Sequence, residues 1–417
     1  MRRLLFLGLG HLSNGDVSIA ADFARQLPPA AFRVLFVATG PAAPQLRNLG
    51  LDVVALESRF PWHNLATVDK VVEDFRPDHI IAADAFTLNY SAAWSGLSIG
   101  VLRQRYGARV ATFDQYDYPA ADYVVDFYSG HRTRFPRLME ECDLLIRNSP
   151  LNRPAPSRPG VVVCRMRCAA PGADRAPAGP DGGTLIGGRA GRTGRPPVVF
   201  LTNSRWEYVN VTRSAAMGQL MQAMPRLIHS HLAALGRPVR VEHVGPVAWR
   251  FPIADHIDYR HAARLAPGRF HERLLDADLF ISANAVSVTL TQAVLWGVPS
   301  LLLQNDKLLD VASLTGDGAG PRWLAEAAPE LTVAYPFRVF PWGWYEFLAP
   351  VLSDNPYTDC FLTAGIFQRR QVLHALSALL DDAGARGRLH DAQVRLQERL
   401  SGLSSAAEGF TAEVAGR

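Results

Sequence analysis

Lysine is almost absent from this sequence. Of the 43 basic residues in 417, only Lys70 and Lys307 are lysine, which leaves 41 arginines. The arginines are scattered rather than clustered with aromatics, so the net charge of +4 records codon choice and argues against a nucleic-acid surface. Cysteine is scarce as well. Cys142, Cys164, Cys168 and Cys360 are too few for a disulfide scaffold, and Cys164 and Cys168 lack the second pair or His cluster a zinc site needs. No apolar run reaches the ~18 residues of a membrane span, so no integral membrane protein is expected. The stretch Leu4–Gly10 after Met1-Arg2-Arg3 is too short for a signal peptide. It has no small-residue cleavage site and is interrupted by His11, Asn14 and Asp16. It reads as the buried first strand of a cytoplasmic protein.

Hydrophobic residues make up 48% and charged residues 20% of the chain, which is ordinary for a globular fold. At roughly 150 residues per domain the length suggests two or three domains. The chain divides in the middle. The segment 171–197 holds eight Gly and five Pro and sustains neither a helix nor a central strand. Its Gly-Gly-Arg-Ala-Gly-Arg-Thr-Gly run lacks the Lys of a phosphate loop. The expected organisation is an N-terminal domain over 1–165, a linker over 166–196 and a C-terminal domain over 197–417.

Each half alternates short apolar runs with amphipathic stretches. In the first, Leu4–Gly8, Phe32–Ala38, Leu51–Ala55, His79–Ala83, Arg109–Phe113 and Cys142–Arg147 read as strands. Helices are expected over Val17–Gln26, Ala43–Leu49, Val68–Phe75 and Ser91–Tyr106. In the second, Pro197–Leu201, Val239–Val244, Leu279–Ser282 and Ser300–Leu303 read as strands. Helices are expected over Ser214–Leu235, Phe270–Leu275 and Thr289–Leu295, and paired C-terminal helices from Gln368 to about Leu400. The pattern predicts an α/β protein of two Rossmann-like, doubly wound parallel-sheet domains facing a ligand cleft. A dinucleotide is disfavoured. Gly8, Gly10 and Gly15 do not make Gly-x-Gly-x-x-Gly, and the second strand ends Val37-Ala38-Thr39-Gly40 without an acid for a ribose.

Three stretches resemble the GT-B glycosyltransferases of natural-product and murein synthesis. Gly8-Leu9-Gly10-His11-Leu12 is similar to the Gly-His that follows the first strand there. Pro77-Asp78-His79-Ile80-Ile81-Ala82-Ala83-Asp84-Ala85-Phe86 resembles a strand end whose last Asp orients that His. Ala277-Asp278 through Gly297-Val298-Pro299 resembles the donor-site signature. The resemblance implies His11 as general base with Asp84 behind it. It implies a nucleotide-sugar site from Thr202, Asn203, Ser204 and Arg205 on one loop, and from Asn284, Ser287, Thr289 and Gln292 around a helix N-terminus. Asn305 and Asp306 would meet sugar hydroxyls. The chain departs from the family pattern here. Asn284 stands for the usual His, Ala285 and Val286 for two glycines, and Gln292 for the acid that holds the ribose. Asp114, Tyr116, Trp342 and Trp344 are candidates for acceptor contact.

Histidine suits proton abstraction from an acceptor hydroxyl because its unperturbed pKa of ~6.5 lies near working pH. Arginine and a helix N-terminus can neutralise a diphosphate leaving group, so no metal and no resident cofactor is expected. The co-substrate is a nucleotide sugar, a UDP-sugar by default, and the acceptor a small natural product. A homodimer is compatible with the sequence. Two alternatives stay open: an epimerase or hydrolase of nucleotide sugars on the same fold, and a catalytically degenerate activator of another transferase.

Overall fold

A computed structural model of the chain describes residues 1–10, 15–117, 124–127, 131–152, 160–166, 194–209, 215–285, 287–311, 322–334, 337 and 348–415. The chain forms two compact units. One comprises Met1–Cys168, Pro350–Asn355 and Glu398–Arg417, the other Ala169–Ala349 and Pro356–Gln397.

The first unit contains β1 (Arg2–Gly8), β2 (Phe32–Thr39), β3 (Val53–Leu56), β4 (His79–Ala82), β5 (Arg109–Phe113), a hairpin of β6 (Val124–Phe127) and β7 (His131–Arg134), β8 (Leu144–Arg147) and β9 (Val161–Val163). Outside the hairpin the strands form one sheet of order β3-β2-β1-β4-β5-β8-β9, every pair parallel. Residues 4–8 of β1 are buried throughout, as a strand covered on both faces requires. Phe6 stacks on Phe36 at 4.8 Å. Phe23 of helix α1 (Gly15–Arg25) meets Phe113 edge-on at 5.4 Å. The C-terminal helix Ala406–Ala415 completes this core, with Phe410 edge-on to His79 at 5.3 Å and Glu413 accepting the Gly160 amide at 2.7 Å.

In the second unit β10 (Val198–Thr202), β11 (Val239–Val244), β12 (Ile257–Ala262), β13 (Leu279–Ser282), β14 (Ser300–Gln304) and β17 (Leu362–Gly365) form a sheet of order β12-β11-β10-β13-β14-β17. All its pairs are parallel. A small antiparallel pair, β15 (Leu309–Asp310) and β16 (Val333–Ala334), stands apart. Leu220, Met224 and Leu227 of helix Ala215–Ala233 enter one core cluster with Leu279, Leu301 and Leu376. Among the described residues no helix is long and apolar enough to cross a membrane.

The same device sets the strand register three times. The Asp78 carboxylate, just before β4, accepts the Arg3 amide at 2.7 Å, while the Asp78 amide donates back to Arg3 at 2.8 Å. Asp143, before β8, exchanges the same pair of bonds with Val110, both at 2.8 Å. Asp278, before β13, does so with Val198, both at 2.8 Å. The Asp of Pro77-Asp78 and of Ala277-Asp278 therefore staples the amino ends of neighbouring strands. Gly297, at φ 72°, closes the helix Val288–Leu295 as the left-handed cap that glycine favours.

One expected helix is broken. Ser91–Tyr106 resolves into α5 (Ala92–Ser95) and α6 (Ile99–Arg105), after α2 (Ala43–Asn48), α3 (Pro61–Phe75) and α4 (Ala85–Tyr90). Gly96 turns left-handed at φ 75°, and an added Cβ would stand 3.0 Å from the Pro61 carbonyl oxygen. Ser98 then caps the next helix by accepting the Val101 amide at 3.2 Å. Strand β9 carries only three residues, and β17, Leu-Thr-Ala-Gly, holds no continuous apolar run; neither announces itself in the sequence.

Candidate functional site

Both sheets follow the order 3-2-1-4-5-6 counted within each unit, with one further strand in the first. The order in which strands are added reverses about the β1/β4 pair in one and the β10/β13 pair in the other. In such sheets ligands bind outside the strand carboxyl ends at these switch points. Gly8–Gly10 and Asp84 flank the first. Thr202–Arg205, Ala283–Ala285 and Ser287 flank the second.

At the first switch point an added Cβ on Gly8 would come within 2.9 Å of Val17 Cγ2, so α1 packs against the end of β1 only because that residue is glycine. Thr39 Oγ1 donates to the Gly10 carbonyl at 3.3 Å. His11 lies outside the described residues. Asp84 caps α4, its Oδ1 accepting the Thr87 amide at 2.6 Å. Burial, with Asp114 nearby, holds its carboxyl above the usual range despite that bond. Asp16, in the first turn of α1, is perturbed in the same direction. It is buried, neither carboxyl oxygen has a hydrogen bond of good geometry among the described residues, and desolvation reinforced by the charge of Asp84 outweighs the Val17 and Asp16 backbone amides and pushes its pKa up to about 7.

Beyond β5 and β8 stands a buried ion triad. Arg147 Nε donates to Asp114 Oδ2 at 3.0 Å, and its Nη2 to Asp117 Oδ1 at 2.6 Å. Asp114 and Arg147 are 0% and 4% exposed at the side chain. Asp114 is thus bound inside the protein rather than set out in a solvated turn. Tyr116, beside it, is half-buried.

At the second switch point the predicted loop divides. Asn203 is locked inward: its Nδ2 donates to Glu207 Oε2 at 2.7 Å, and its Oδ1 meets His243 Nε2 at 2.7 Å. Glu207 Oε1 also accepts the Ser204 amide at 2.9 Å. Burial, with His261 beside it, pulls His243 down to about 4, so it is neutral at physiological pH. Thr202 and Ser204 are half-buried, and the Ser204 hydroxyl oxygen is buried without a partner among the described residues. Arg205 is exposed at the first position of helix Arg205–Val209, a cation set where an anion would also find helix amides.

Across the sheet, Ser287 caps helix Val288–Leu295, its Oγ accepting the Thr289 amide at 3.1 Å. The cap uses one of the amides that would otherwise face a diphosphate. Asn284 lies in a turn where its own amide donates to Ser282 Oγ at 3.0 Å. Gln292 is half-buried on the same helix. Asn305 is buried and closes a turn through Nδ2 to the Lys307 carbonyl at 2.9 Å, whereas Asp306 is exposed. Trp342 and Trp344 lie outside the described residues. Sequence reasoning missed Asp16, Glu207 and His243. A Gly-Asp opening a helix hints at Asp16, but nothing local signals burial.

Two parallel, doubly wound sheets of this order define a GT-B fold. Solved structures of that fold match along the whole chain. A spinosyn rhamnosyltransferase complexed with thymidine diphosphate has 13% identity and a TM-score of 0.53, covering 100% of both chains. A spinosyn forosaminyltransferase has 14% identity and a TM-score of 0.54, and a calicheamicin glycosyltransferase 15% and 0.51; each covers 100% of this chain and 98% of the other. The chain belongs to the family of unknown function DUF6365, whose model matches residues 23–417. Comparison with curated proteins finds no match.

Proposed function

We propose that this protein transfers a glycosyl group from a nucleoside-diphosphate sugar to a hydroxyl or amine of a small natural-product acceptor, without metal and with inversion. The observation that carries the proposal is the pair of switch points. One has an acidic edge, Asp16 and Asp84, beside Gly8–Gly10; the other has an exposed arginine and a capped helix N-terminus. His11 takes the acceptor proton as its oxygen attacks the anomeric carbon, and Asp84 fixes the imidazole tautomer and stabilises the imidazolium. Arg205, Ser204 and the amides opening helix Val288–Leu295 receive the diphosphate as charge develops on it. Gln292 bonds the ribose, and Asp306 a sugar hydroxyl. UDP is the default nucleotide. Thymidine diphosphate is the first to try beside it, since two neighbours of this fold were solved with it. The enzyme works in the cytoplasm on this proposal.

The test is release of nucleoside diphosphate from a sugar-donor panel in the presence of an acceptor library. His11→Ala is expected to abolish transfer while nucleotide binding persists. Wild-type turnover in that variant removes His11 as base. The activator alternative has one observation in its favour: Ser287 already occupies the Thr289 amide. It predicts no transfer by the chain alone and activity only with a companion enzyme.

A further inference from the structure

One face of β11 calls for apolar side chains. Val239 and Val241 enter the core cluster of the second unit, and residues two apart share a face of a strand, so position 243 falls on the same face. It carries a histidine, 2% exposed, that the proposed chemistry does not use. Burying a polar ring there is costly unless its nitrogens are answered. Both are. His243 Nδ1 meets the Tyr259 hydroxyl at 2.8 Å, and Nε2 meets Asn203 Oδ1 at 2.7 Å. Beyond Tyr259, the Trp249 amide donates to the hydroxyl oxygen at 2.9 Å and the two rings stack at 4.6 Å. Beyond Asn203, Nδ2 donates to Glu207 Oε2 at 2.7 Å, and Glu207 Oε1 accepts the Ser204 amide at 2.9 Å.

These bonds have one consistent direction. A carboxylate only accepts, so Asn203 turns its Nδ2 to Glu207 and its Oδ1 to the histidine. An amide oxygen also only accepts, so His243 carries its proton on Nε2 and leaves Nδ1 bare. The Tyr259 hydroxyl then donates to Nδ1 while its oxygen takes the Trp249 amide. The parts fit closely: a Cβ added to Gly245 would stand 3.1 Å from both Asn203 Cβ and His243 Nε2.

We infer that His243, Tyr259 and Asn203 are positioning residues, a directed relay that anchors the loop Thr202–Arg205 to β11 and β12. The inference rests on the proposed function, in which this loop receives the donor diphosphate. Asn203 then serves the donor from behind rather than by touching it. The relay fixes the backbone at Ser204, one residue ahead of the exposed Arg205. It also holds the Glu207 carboxylate inward. Released, that carboxylate would compete with phosphate for the Arg205 guanidinium and repel the diphosphate.

The experiment is calorimetric titration of the full chain with UDP and with thymidine diphosphate. Asn203→Ala and His243→Leu are expected to raise Kd by at least about tenfold. His243→Gln keeps an N–H in the place of Nε2 and is expected to restore most of the affinity. Tyr259→Phe keeps the stack on Trp249, loses only the hydroxyl, and gives a smaller loss; it serves if Asn203→Ala does not fold. A role confined to stability would lower the melting temperature of these variants and leave the Kd of the folded protein unchanged. A long-range nitrogen–proton correlation spectrum of the histidine-labelled chain without nucleotide reads the direction of the relay. The signal lost in His243→Gln is expected to show the proton on Nε2. Equal Kd in the wild type, Asn203→Ala and His243→Leu, or a proton on Nδ1, overturns the relay alone. Absence of binding by the wild type instead overturns the donor reading, and the role assigned to the relay with it.

Discussion

Asp16 offers the sharpest physical test. In the folded protein its carboxyl holds a proton up to about pH 7, against an ordinary value of 3.8, because it is buried beside the charge of Asp84. The unfolded chain releases that proton first. The group's contribution to stability is therefore whole below pH 3.8 and is lost as pH rises to about 7. Across that window the loss is roughly 1.4 kcal/mol per pH unit, which sums to the order of 4 kcal/mol. Asp16→Asn cannot ionise, so its stability lacks this slope. A buried amide left unpaired adds a penalty of ~1–3 kcal/mol, but one independent of pH. Urea unfolding of both proteins at intervals from pH 4 to pH 8 reads the difference. The wild type is expected to lose stability relative to the variant up to about pH 7 and to run parallel to it above. Parallel curves throughout would refute the burial argument for this carboxyl.

Other outcomes follow from single contacts. Asp84→Ala removes the cap on α4 and is expected to cost ~1 kcal/mol. Asp84→Ser keeps the cap and the stability, yet is expected to abolish transfer; full activity in the Ser variant would confine Asp84 to capping. Arg147→Met leaves Asp114 buried and uncompensated, so a loss of ~3–5 kcal/mol in chemical denaturation is expected. Arg205→Ala, at an exposed site, is expected to leave the melting temperature unchanged and to weaken nucleoside-diphosphate binding by about tenfold, the worth of one charge-assisted bond.

Much of the fold was legible because its signals are local. Continuous apolar runs such as Leu4–Gly8 and Leu301–Leu303 mark strands covered on both faces. Pro77-Asp78, Ala277-Asp278 and Gly297-Val298-Pro299, which carried much of the family resemblance, prove to be strand staples and a helix cap. They report the architecture and lie at the amino ends of the strands, away from the switch points. What escaped depends on distant partners. The break at Gly96 is imposed by the backbone of Pro61, and the docking of Phe410 beside His79 joins residues more than three hundred positions apart. The position of the two switch points was legible for a similar reason: it follows from the order of the strands. Which side chains face a ligand was not, because Asn203 turns inward only through Glu207 and His243, and Asp114 only through Arg147.

The most direct measurement is thermal denaturation of the purified protein with UDP, thymidine diphosphate, GDP and ADP, beside Arg205→Ala. One nucleoside diphosphate at a hundredfold excess over its Kd is expected to raise the melting temperature by roughly 5–10 °C, and by much less in the variant. No shift with any of the four would contradict a nucleotide site at the β10/β13 switch point, and with it the proposed transfer.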